Sequence, residues 1–230
     1  MADVLVLGDS HSNYILAAVR SAMPHVSFIG GQLPLGSGWQ NAFFSGPDPL
    51  RFSRAEAQQK FEDWASEATG RRVSSLHEVD IPILFSLSNI EHLVHSWMWT
   101  KWSPVSSVDR DFLSEEVIRE VVHSFYAHNL AFMIAVKEGG ARAINVVSPL
   151  PRISNSDRVP VHDAVRKVLQ QFYDTIGIPL VDITDETRDS VSGALDPQFA
   201  STMANDKIHG NSQWGAVMAE HLVPVIKGLI

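Results

Sequence analysis

Five short runs of apolar residues alternate with longer segments of helical periodicity, and this alternation most constrains how the chain can fold. The apolar runs lie at 3–7, 26–30, 80–87, 142–148 and 178–183. The helical segments lie at 12–23, 54–69, 115–138, 160–176 and 211–228. Strands that are apolar along their whole length are typical of a parallel sheet buried on both faces. The pattern therefore predicts a three-layer, doubly wound α/β fold around a five-stranded parallel sheet.

The order of these segments predicts a single domain over residues 1–230. The chain contains no internal repeat and no linker rich in Pro, Gly or Ser that would separate two domains. Three long irregular stretches, 31–52, 88–113 and 184–210, each follow the end of a predicted strand. Ligands of open α/β sheets bind at the carboxyl ends of the strands, so we expect these loops to carry the functional site.

Charge and cysteine content exclude several classes of function. The chain has 18 Lys and Arg against 26 Asp and Glu, a formal net charge of -8. This balance argues against a nucleic-acid partner or an anionic membrane surface, both of which need clustered positive charge. The absence of cysteine excludes disulfides, thiolate catalysis and Cys-ligated zinc. The first apolar run stops at Gly8 and no 18-residue apolar run exists, so we expect a cytoplasmic protein without a transmembrane helix.

The first candidate for chemistry is Ser10, in the sequence Gly8-Asp9-Ser10 where the first apolar run ends. A predicted helix begins directly afterwards, and the free N–H groups at a helix start favour developing negative charge. A serine hydroxyl is a weak nucleophile until a neighbouring base activates it. The alternative interpretation is that Ser10 or Ser12 only caps the helix.

Asp206 and His209, directly before the last predicted helix, could supply that base. A spacing of three residues in a loop lets the carboxylate hydrogen-bond the imidazole and hold its tautomer. Histidine titrates near neutral pH, so it can accept a proton under physiological conditions. The alternative is that the pair only caps the final helix.

Taken together, Gly8-Asp9-Ser10 after the first strand and Asp206 with His209 before the last helix resemble the GDSL/SGNH hydrolase superfamily. The resemblance implies a flavodoxin-like SGNH hydrolase fold. It also implies that Ser10 is the nucleophile of a catalytic triad whose other members are Asp206 and His209. For that to hold, the Ser10 hydroxyl and the His209 imidazole must meet at one edge of the sheet.

The resemblance further implies an oxyanion hole formed by three donors. These are the N–H of Ser10, a glycine N–H after the second strand and an asparagine amide after the third. Asn89 is in the position of that asparagine, although Leu87 and Ile90 stand where the family has glycine and aspartate. The candidate glycines are Gly30, Gly31, Gly36 and Gly38. We favour Gly36 because it lies beyond the end of the predicted strand.

Aromatic residues follow Asn89 and could contact a substrate. Trp97, Trp99 and Trp102 lie close together in the chain, and their spacing fits neither one strand face nor one helix face. They are either core residues or a wall that stacks on a sugar ring or an acyl group, which Trp39 could join. His11, directly after Ser10, is either a substrate contact or the residue that starts the helix.

The sequence predicts neither a metal nor a cofactor. His92 and His95, with Glu91, have a spacing that could place two histidines on one helix face, but a clear third ligand is missing. We therefore interpret them as surface or packing residues.

These observations lead to a functional hypothesis and two rivals. The hypothesis is a carboxylic ester hydrolase acting on short-chain acyl esters, with carbohydrate O-acetyl groups as the candidate substrate. One rival uses the same residues to transfer the acyl group to a sugar hydroxyl. The other is a non-catalytic carbohydrate-binding module on the same fold. The sequence leaves open the acyl chain length and the oligomeric state.

Overall fold

The computed structural model contains a central sheet of five parallel strands. It describes residues 1–35, 42–87, 102–103, 111–150, 159–203, 206 and 208–230. The strands of these residues are β1 (Val4–Gly8), β2 (Phe28–Gln32), β3 (Phe44–Ser45), β4 (Arg51–Phe52), β5 (Ile83–Ser86), β6 (Trp102–Ser103), β7 (Asp111–Phe112), β8 (Ala143–Val146) and β9 (Leu180–Val181). The central sheet has the order β2-β1-β5-β8-β9, and every neighbouring pair is parallel. Each of the five predicted strands overlaps one strand of this sheet, which confirms the predicted fold class.

The strand order identifies the edge at which a ligand is expected. Counted along the chain, the central strands run second, first, third, fourth and fifth, which is the flavodoxin-like order. The direction of winding reverses between β1 and β5, and a crevice opens at such a reversal outside the carboxyl ends of the strands. Ser10 follows β1 by two residues and therefore lies at this edge.

Helices cover both faces of the sheet. They are α1 (Ser12–Ala22), α2 (Ala55–Thr69), α3 (Glu115–Phe125), α4 (Ala127–Glu138), α5 (Val159–Ile176), α6 (Thr184–Thr187) and α7 (Ser212–Lys227), with 3₁₀ turns at Leu76–Glu78 and Pro197–Phe199. None of the helices in the described ranges is both long and apolar enough to cross a membrane.

Alternate residues of β1 face the two layers. Val4 and Val6 belong to a core cluster with residues of α1 and α7, including the fully buried Trp214. Leu5 and Leu7 belong to a second cluster with residues of α2 and α4. Full burial of such a side chain stabilises the fold by about 1.5–3 kcal/mol. The double-sided burial explains why the first run is apolar without interruption.

The predicted helix over 115–138 is two helices in the structure, which corrects the sequence prediction. α3 and α4 are separated at Tyr126, whose backbone dihedrals are φ -94° and ψ 7°. Ile118 and Val122 of α3 pack in a cluster with α5. Phe132 and Val136 of α4 instead pack in the cluster that contains Leu5 and Leu7 of β1. The interruption at Tyr126 thus separates a helix that packs with α5 from one that contributes most of its buried residues to the other cluster.

Candidate active site

The structure brings Ser10 and His209 together at the carboxyl edge of the sheet. The Ser10 hydroxyl oxygen lies 2.5 Å from Nε2 of His209, although the two residues are 199 positions apart in the chain. Ser10 lies in the turn between β1 and α1, and His209 lies just before α7. Because α1 and α7 pack side by side on the same face of the sheet, their amino ends meet beside β1. This is the juxtaposition that the resemblance required.

Asp206 completes a continuous hydrogen-bonded chain from the hydroxyl. Its Oδ1 lies 2.8 Å from Nδ1 of His209 and also accepts the backbone N–H groups of Ile208 at 3.2 Å and His209 at 3.0 Å. The carboxylate therefore fixes both the ring and the turn that carries it. With the ring proton on Nδ1, Nε2 is left as the acceptor for the Ser10 hydroxyl proton.

The surroundings of Asp206 keep its carboxyl ionised. Burial by itself would raise the pKa of Asp206. Hydrogen bonds from the His209 ring and the Ser201 side chain, together with the two backbone N–H groups, outweigh burial and hold the pKa well below its usual range. An aspartate that stays charged at neutral pH stabilises the imidazolium formed when His209 takes a proton.

Asn211 fastens the segment that carries His209. Its side-chain oxygen accepts the N–H groups of Gln213 and Trp214, so it is the N-cap of α7. Its amide donates to the carbonyl oxygens of Gln198 at 2.7 Å and Ala200 at 3.1 Å. The sequence analysis missed this double role, although an Asn directly before a helix is a recognisable cap signal.

The Ser10 hydroxyl does not cap α1. The N-cap residue of α1 is His11, and the helix has no side-chain cap hydrogen bond. The hydroxyl of Ser12 instead donates to the carbonyl oxygen of Asp9 at 2.6 Å. The capping alternative for Ser10 is therefore wrong, and its hydroxyl faces the imidazole. No described residue accepts a hydrogen bond from the Ser10 N–H.

Gly8 lets the two strands approach closely below Ser10. A Cβ on Gly8 would lie 2.6 Å from the carbonyl oxygen of Ser86 on β5, which is a steric clash. The Ser86 hydroxyl donates to Oδ1 of Asp9 at 3.1 Å. The close pairing therefore fixes Asp9, the residue before Ser10, against the neighbouring strand.

The structure places His11 in the interior, which corrects its prediction as a substrate contact. Its side chain is 1% exposed, and its Nδ1 lies 3.1 Å from Oδ1 of Asp9. Its Nε2 lies 3.1 Å from the carbonyl oxygen of Ile208, and the centroid of its ring lies 4.7 Å from that of His209. The alternative, that His11 starts the helix, agrees with its position as the N-cap of α1.

The favoured oxyanion-hole and substrate-binding residues Gly36, Asn89, Trp97 and Trp99 lie outside the described residues. The same holds for Trp39 and for the group of Glu91, His92 and His95. Their roles stay predictions. Within the described ranges, no group of three His, Asp or Glu side chains could hold a metal ion.

Two buried asparagines fix the end of β5, and the sequence analysis did not identify them. Leu87, two residues before Asn89, donates its N–H to the Asn145 side chain at 3.4 Å and accepts the Asn129 amide at 2.8 Å. The Asn145 amide in turn donates to the hydroxyl of Tyr173 at 2.6 Å. Buried amides are costly unless they are hydrogen-bonded, so an Asn within the apolar run 142–148 was the available signal.

Comparison with known proteins supports the fold assignment. No family model matches the chain, and neither does any curated protein. A solved structure of a GDSL-like lipase from Bacteroides thetaiotaomicron matches with 12% identity and a TM-score of 0.52, covering 99% of this chain and 88% of the lipase. An acetyl xylan esterase matches with 10% identity and a TM-score of 0.51, covering 96% of this chain and 98% of the esterase.

A third solved structure is the periplasmic domain of a lipopolysaccharide acetyltransferase from Salmonella ser. Paratyphi A. It matches with 10% identity and a TM-score of 0.51, covering 99% of this chain and 84% of that domain. The chain therefore has the fold of the GDSL/SGNH hydrolases, as the sequence resemblance predicted.

Proposed function

We propose that the chain is a serine-dependent carboxylic ester hydrolase. The single observation that carries this proposal is the hydrogen-bonded chain from the Ser10 hydroxyl through His209 to Asp206. A nucleophile next to a base, with the base oriented by a third group, is the arrangement that activates a serine. The fold shared with a GDSL-like lipase and with an acetyl xylan esterase agrees with it.

The first half of the reaction acylates Ser10. Nε2 of His209 accepts the hydroxyl proton while the serine oxygen forms a bond to the ester carbonyl carbon, and the carbonyl oxygen becomes an oxyanion. Asp206 stabilises the resulting imidazolium. When the tetrahedral intermediate collapses, the bond to the alcohol oxygen breaks, and His209 gives its proton to the departing alcohol.

The second half releases the acid. His209 accepts a proton from water as the water oxygen attacks the acyl carbon on Ser10. Collapse of this second intermediate breaks the ester bond to the serine oxygen and returns the proton to it. In both halves the oxyanion needs donors, each worth about 2.7–4 kcal/mol in the transition state. We assign these to the N–H of Ser10 and, from the sequence, to Asn89 and Gly36.

For the substrate we propose short-chain acyl esters, with O-acetyl groups on a carbohydrate as the first candidate. Two of the solved structures with this fold are an acetyl xylan esterase and an acetyltransferase domain for lipopolysaccharide. Trp97 and Trp99 are the residues we propose to stack on the sugar, since aromatic rings pack well against its apolar face.

Acyl transfer to a sugar hydroxyl is the second candidate, which the acetyltransferase domain favours. Both reactions form the same acyl-serine, and they differ in how well the bound acceptor excludes water. Adding a sugar or simple alcohol to a p-nitrophenyl acetate assay separates them. A hydrolase forms mainly acetate, whereas a transferase forms mainly the acetylated acceptor.

A fluorophosphonate probe tests the proposal against the non-catalytic alternative. Such a probe reacts covalently with activated serines, and digestion followed by mass spectrometry locates the adduct. We expect a single adduct on Ser10 in the folded protein and none after Ser10→Ala. An unlabelled Ser10 in correctly folded protein would instead favour a carbohydrate-binding module that has kept only the fold.

A further inference from the structure

His11 has a hydrogen-bond acceptor opposite each of its two ring nitrogens. Nδ1 faces the Asp9 side-chain oxygen and Nε2 faces the Ile208 carbonyl oxygen, each at 3.1 Å. A neutral imidazole carries one N–H and can satisfy only one of them, whereas the imidazolium carries two. The ring is buried, so water does not replace either partner. The geometry therefore fits the doubly protonated form of His11.

The contacts of Asp9 agree with a charged carboxylate. Its Oδ1 accepts from the backbone N–H of His11 at 2.8 Å as well as from the His11 ring and the Ser86 hydroxyl. Its Oδ2 is buried and has no partner among the described residues. A proton on Oδ2 would thus be a buried donor without an acceptor, which proteins avoid more strictly than an unpaired acceptor.

We propose that His11 is an imidazolium at neutral pH that positions the catalytic base His209. One N–H holds Asp9 at the end of β1, and the other holds Ile208, the residue directly before His209. The ion pair thereby ties the strand that presents Ser10 to the segment that presents its base. The catalytic part of this proposal rests on the function proposed above, whereas the protonation state of His11 does not.

The electrostatic surroundings support the charged form. Burial alone would lower the pKa of His11. The charge and hydrogen bond of Asp9, the Ile208 carbonyl and the charge of Asp206 outweigh burial and raise the pKa above its usual value. Among the described residues, the charged or titratable groups facing the ring are Asp9, Asp206 and His209, and its aromatic neighbour Trp214 is uncharged.

A positive charge on His11 also affects His209, because the two ring centroids are 4.7 Å apart. Like charges at this distance repel, so His11 opposes protonation of His209 while Asp206 favours it. Removing the charge from His11 leaves the carboxylate of Asp9 unopposed. We therefore expect the acid limb of the pH profile of kcat/KM to move upward when a variant removes this positive charge from beside the catalytic base.

Long-range ¹H–¹⁵N NMR of the ¹⁵N-labelled protein tests the protonation state directly. We expect both His11 nitrogens to show the chemical shifts of protonated nitrogens at neutral pH. The same spectrum is expected for Ser10→Ala, in which the proposed nucleophile is missing, so this readout is independent of the proposed reaction. A single unprotonated His11 nitrogen at neutral pH would overturn the proposal.

Kinetics of His11 variants test the positioning role. His11→Phe keeps a ring beside Trp214 but removes both donors and the charge, and His11→Gln keeps one amide donor. We expect kcat to fall by roughly 10- to 100-fold in His11→Phe, the cost of a small misplacement of a catalytic group, with KM little changed. His11→Gln should recover part of kcat, and both variants should move the acid limb upward.

The control is His25→Phe, the same change at an exposed histidine. A native kcat and a native acid limb in both His11 variants would overturn the positioning role. A loss of kcat with an unmoved acid limb would also overturn it, since it would indicate a merely structural residue. If His11→Phe does not fold, His11→Gln and the NMR measurement still decide. Absence of labelling at Ser10 would defeat the proposed function alone and leave the ion pair standing.

Discussion

Two aspartate–histidine pairs lie side by side at the carboxyl edge of the sheet, but only one can take a proton from Ser10. In each pair an aspartate Oδ1 lies within hydrogen-bond distance of the histidine Nδ1. The distance between these two atoms is 2.8 Å for Asp206 and His209 and 3.1 Å for Asp9 and His11. Nε2 of His209 faces the Ser10 hydroxyl, which has a proton to give. Nε2 of His11 faces a backbone carbonyl, which can only accept. The group opposite Nε2 therefore decides which histidine can act as a base and which is held protonated.

Exposure separates the two pairs further. The His209 side chain is 26% exposed, whereas that of His11 is 1% exposed. A base must reach both the serine and an incoming water, so partial exposure suits His209. An ion pair that fastens two segments is stronger when it is dry, so full burial suits His11.

The largest effect is expected for Ser10→Ala, which removes the group that distinguishes the His209 pair. Turnover of p-nitrophenyl acetate should fall by about a million-fold, as expected when the nucleophile of such a unit is lost. The circular dichroism spectrum should be unchanged. Ser21→Ala, at an exposed serine of α1, is the control and should keep native turnover. Undiminished turnover in Ser10→Ala would mean that another residue is the nucleophile.

The next largest effect on kcat is expected for substitution of Asp206, and the same substitution of Asp9 provides the comparison. Asp206→Asn should lower kcat by about 10⁴-fold, because the amide favours the wrong tautomer of His209 and no longer stabilises its charged form. Asp9→Asn should lower kcat far less, by about 10- to 100-fold, because Asp9 acts only through position. Steady-state kinetics of both variants provide the measurement. Equal losses would remove the distinction between the two pairs.

Both the agreement and the failures of the sequence predictions have physical causes. The central strands could be predicted because Val4 and Val6 face one layer while Leu5 and Leu7 face the other, which leaves no polar position in the run. The break at Tyr126 could not be predicted, because residues 115–138 contain neither Pro nor Gly to mark it. Only the tertiary packing places the two helices in different core clusters. The strands β3, β4, β6 and β7 each span two residues, too few for any periodicity.

The same reasoning explains what could be predicted of the site. Asp206 and His209 are three residues apart, so their contact is local and readable from the sequence. The contact between His11 and Ile208 spans 197 residues, and it joins a ring to a backbone carbonyl that any residue could supply. No pattern of residue types marks such a contact. The interior position of His11 therefore emerged only from the structure.

A smaller effect is expected on the pH dependence of stability, to which the pair of Asp9 and His11 contributes. The pKa of His11 is raised in the folded protein. The pair of His11 and Asp9 therefore stabilises the folded state fully below the ordinary histidine pKa of about 6.5. This stabilisation is lost as the pH rises through the raised pKa of folded His11. In Asp9→Asn, the strongest influence that raises the pKa of His11 is lost, while burial continues to lower that pKa. The melting temperature of the variant should therefore be lower than that of the native protein, with the largest difference near pH ~5.5 and the smallest near pH ~8.5. A gap that widens with rising pH would contradict the ion pair.

The smallest effect is expected for Asn211→Ala, which loosens the segment that carries His209. Loss of the N-cap of α7 should lower the free energy of unfolding by about 1 kcal/mol, measured by urea denaturation. The kcat should fall less than in Asp206→Asn, because the contact between Asp206 and His209 remains. Ser114→Ala, at the N-cap of α3, is the matched control and should leave kcat unchanged. An unchanged urea midpoint in Asn211→Ala would show that the cap contributes nothing.

The rate at which a fluorophosphonate labels Ser10, measured against pH, tests most directly whether His209 activates this hydroxyl. In the native protein we expect the second-order rate constant to rise with pH, because only a neutral imidazole can accept the proton of the Ser10 hydroxyl. In His209→Gln the rate should collapse and lose this pH dependence. Equal labelling of Ser10 in native protein and His209→Gln, or a native rate that ignores pH, would contradict the activation of Ser10 by His209.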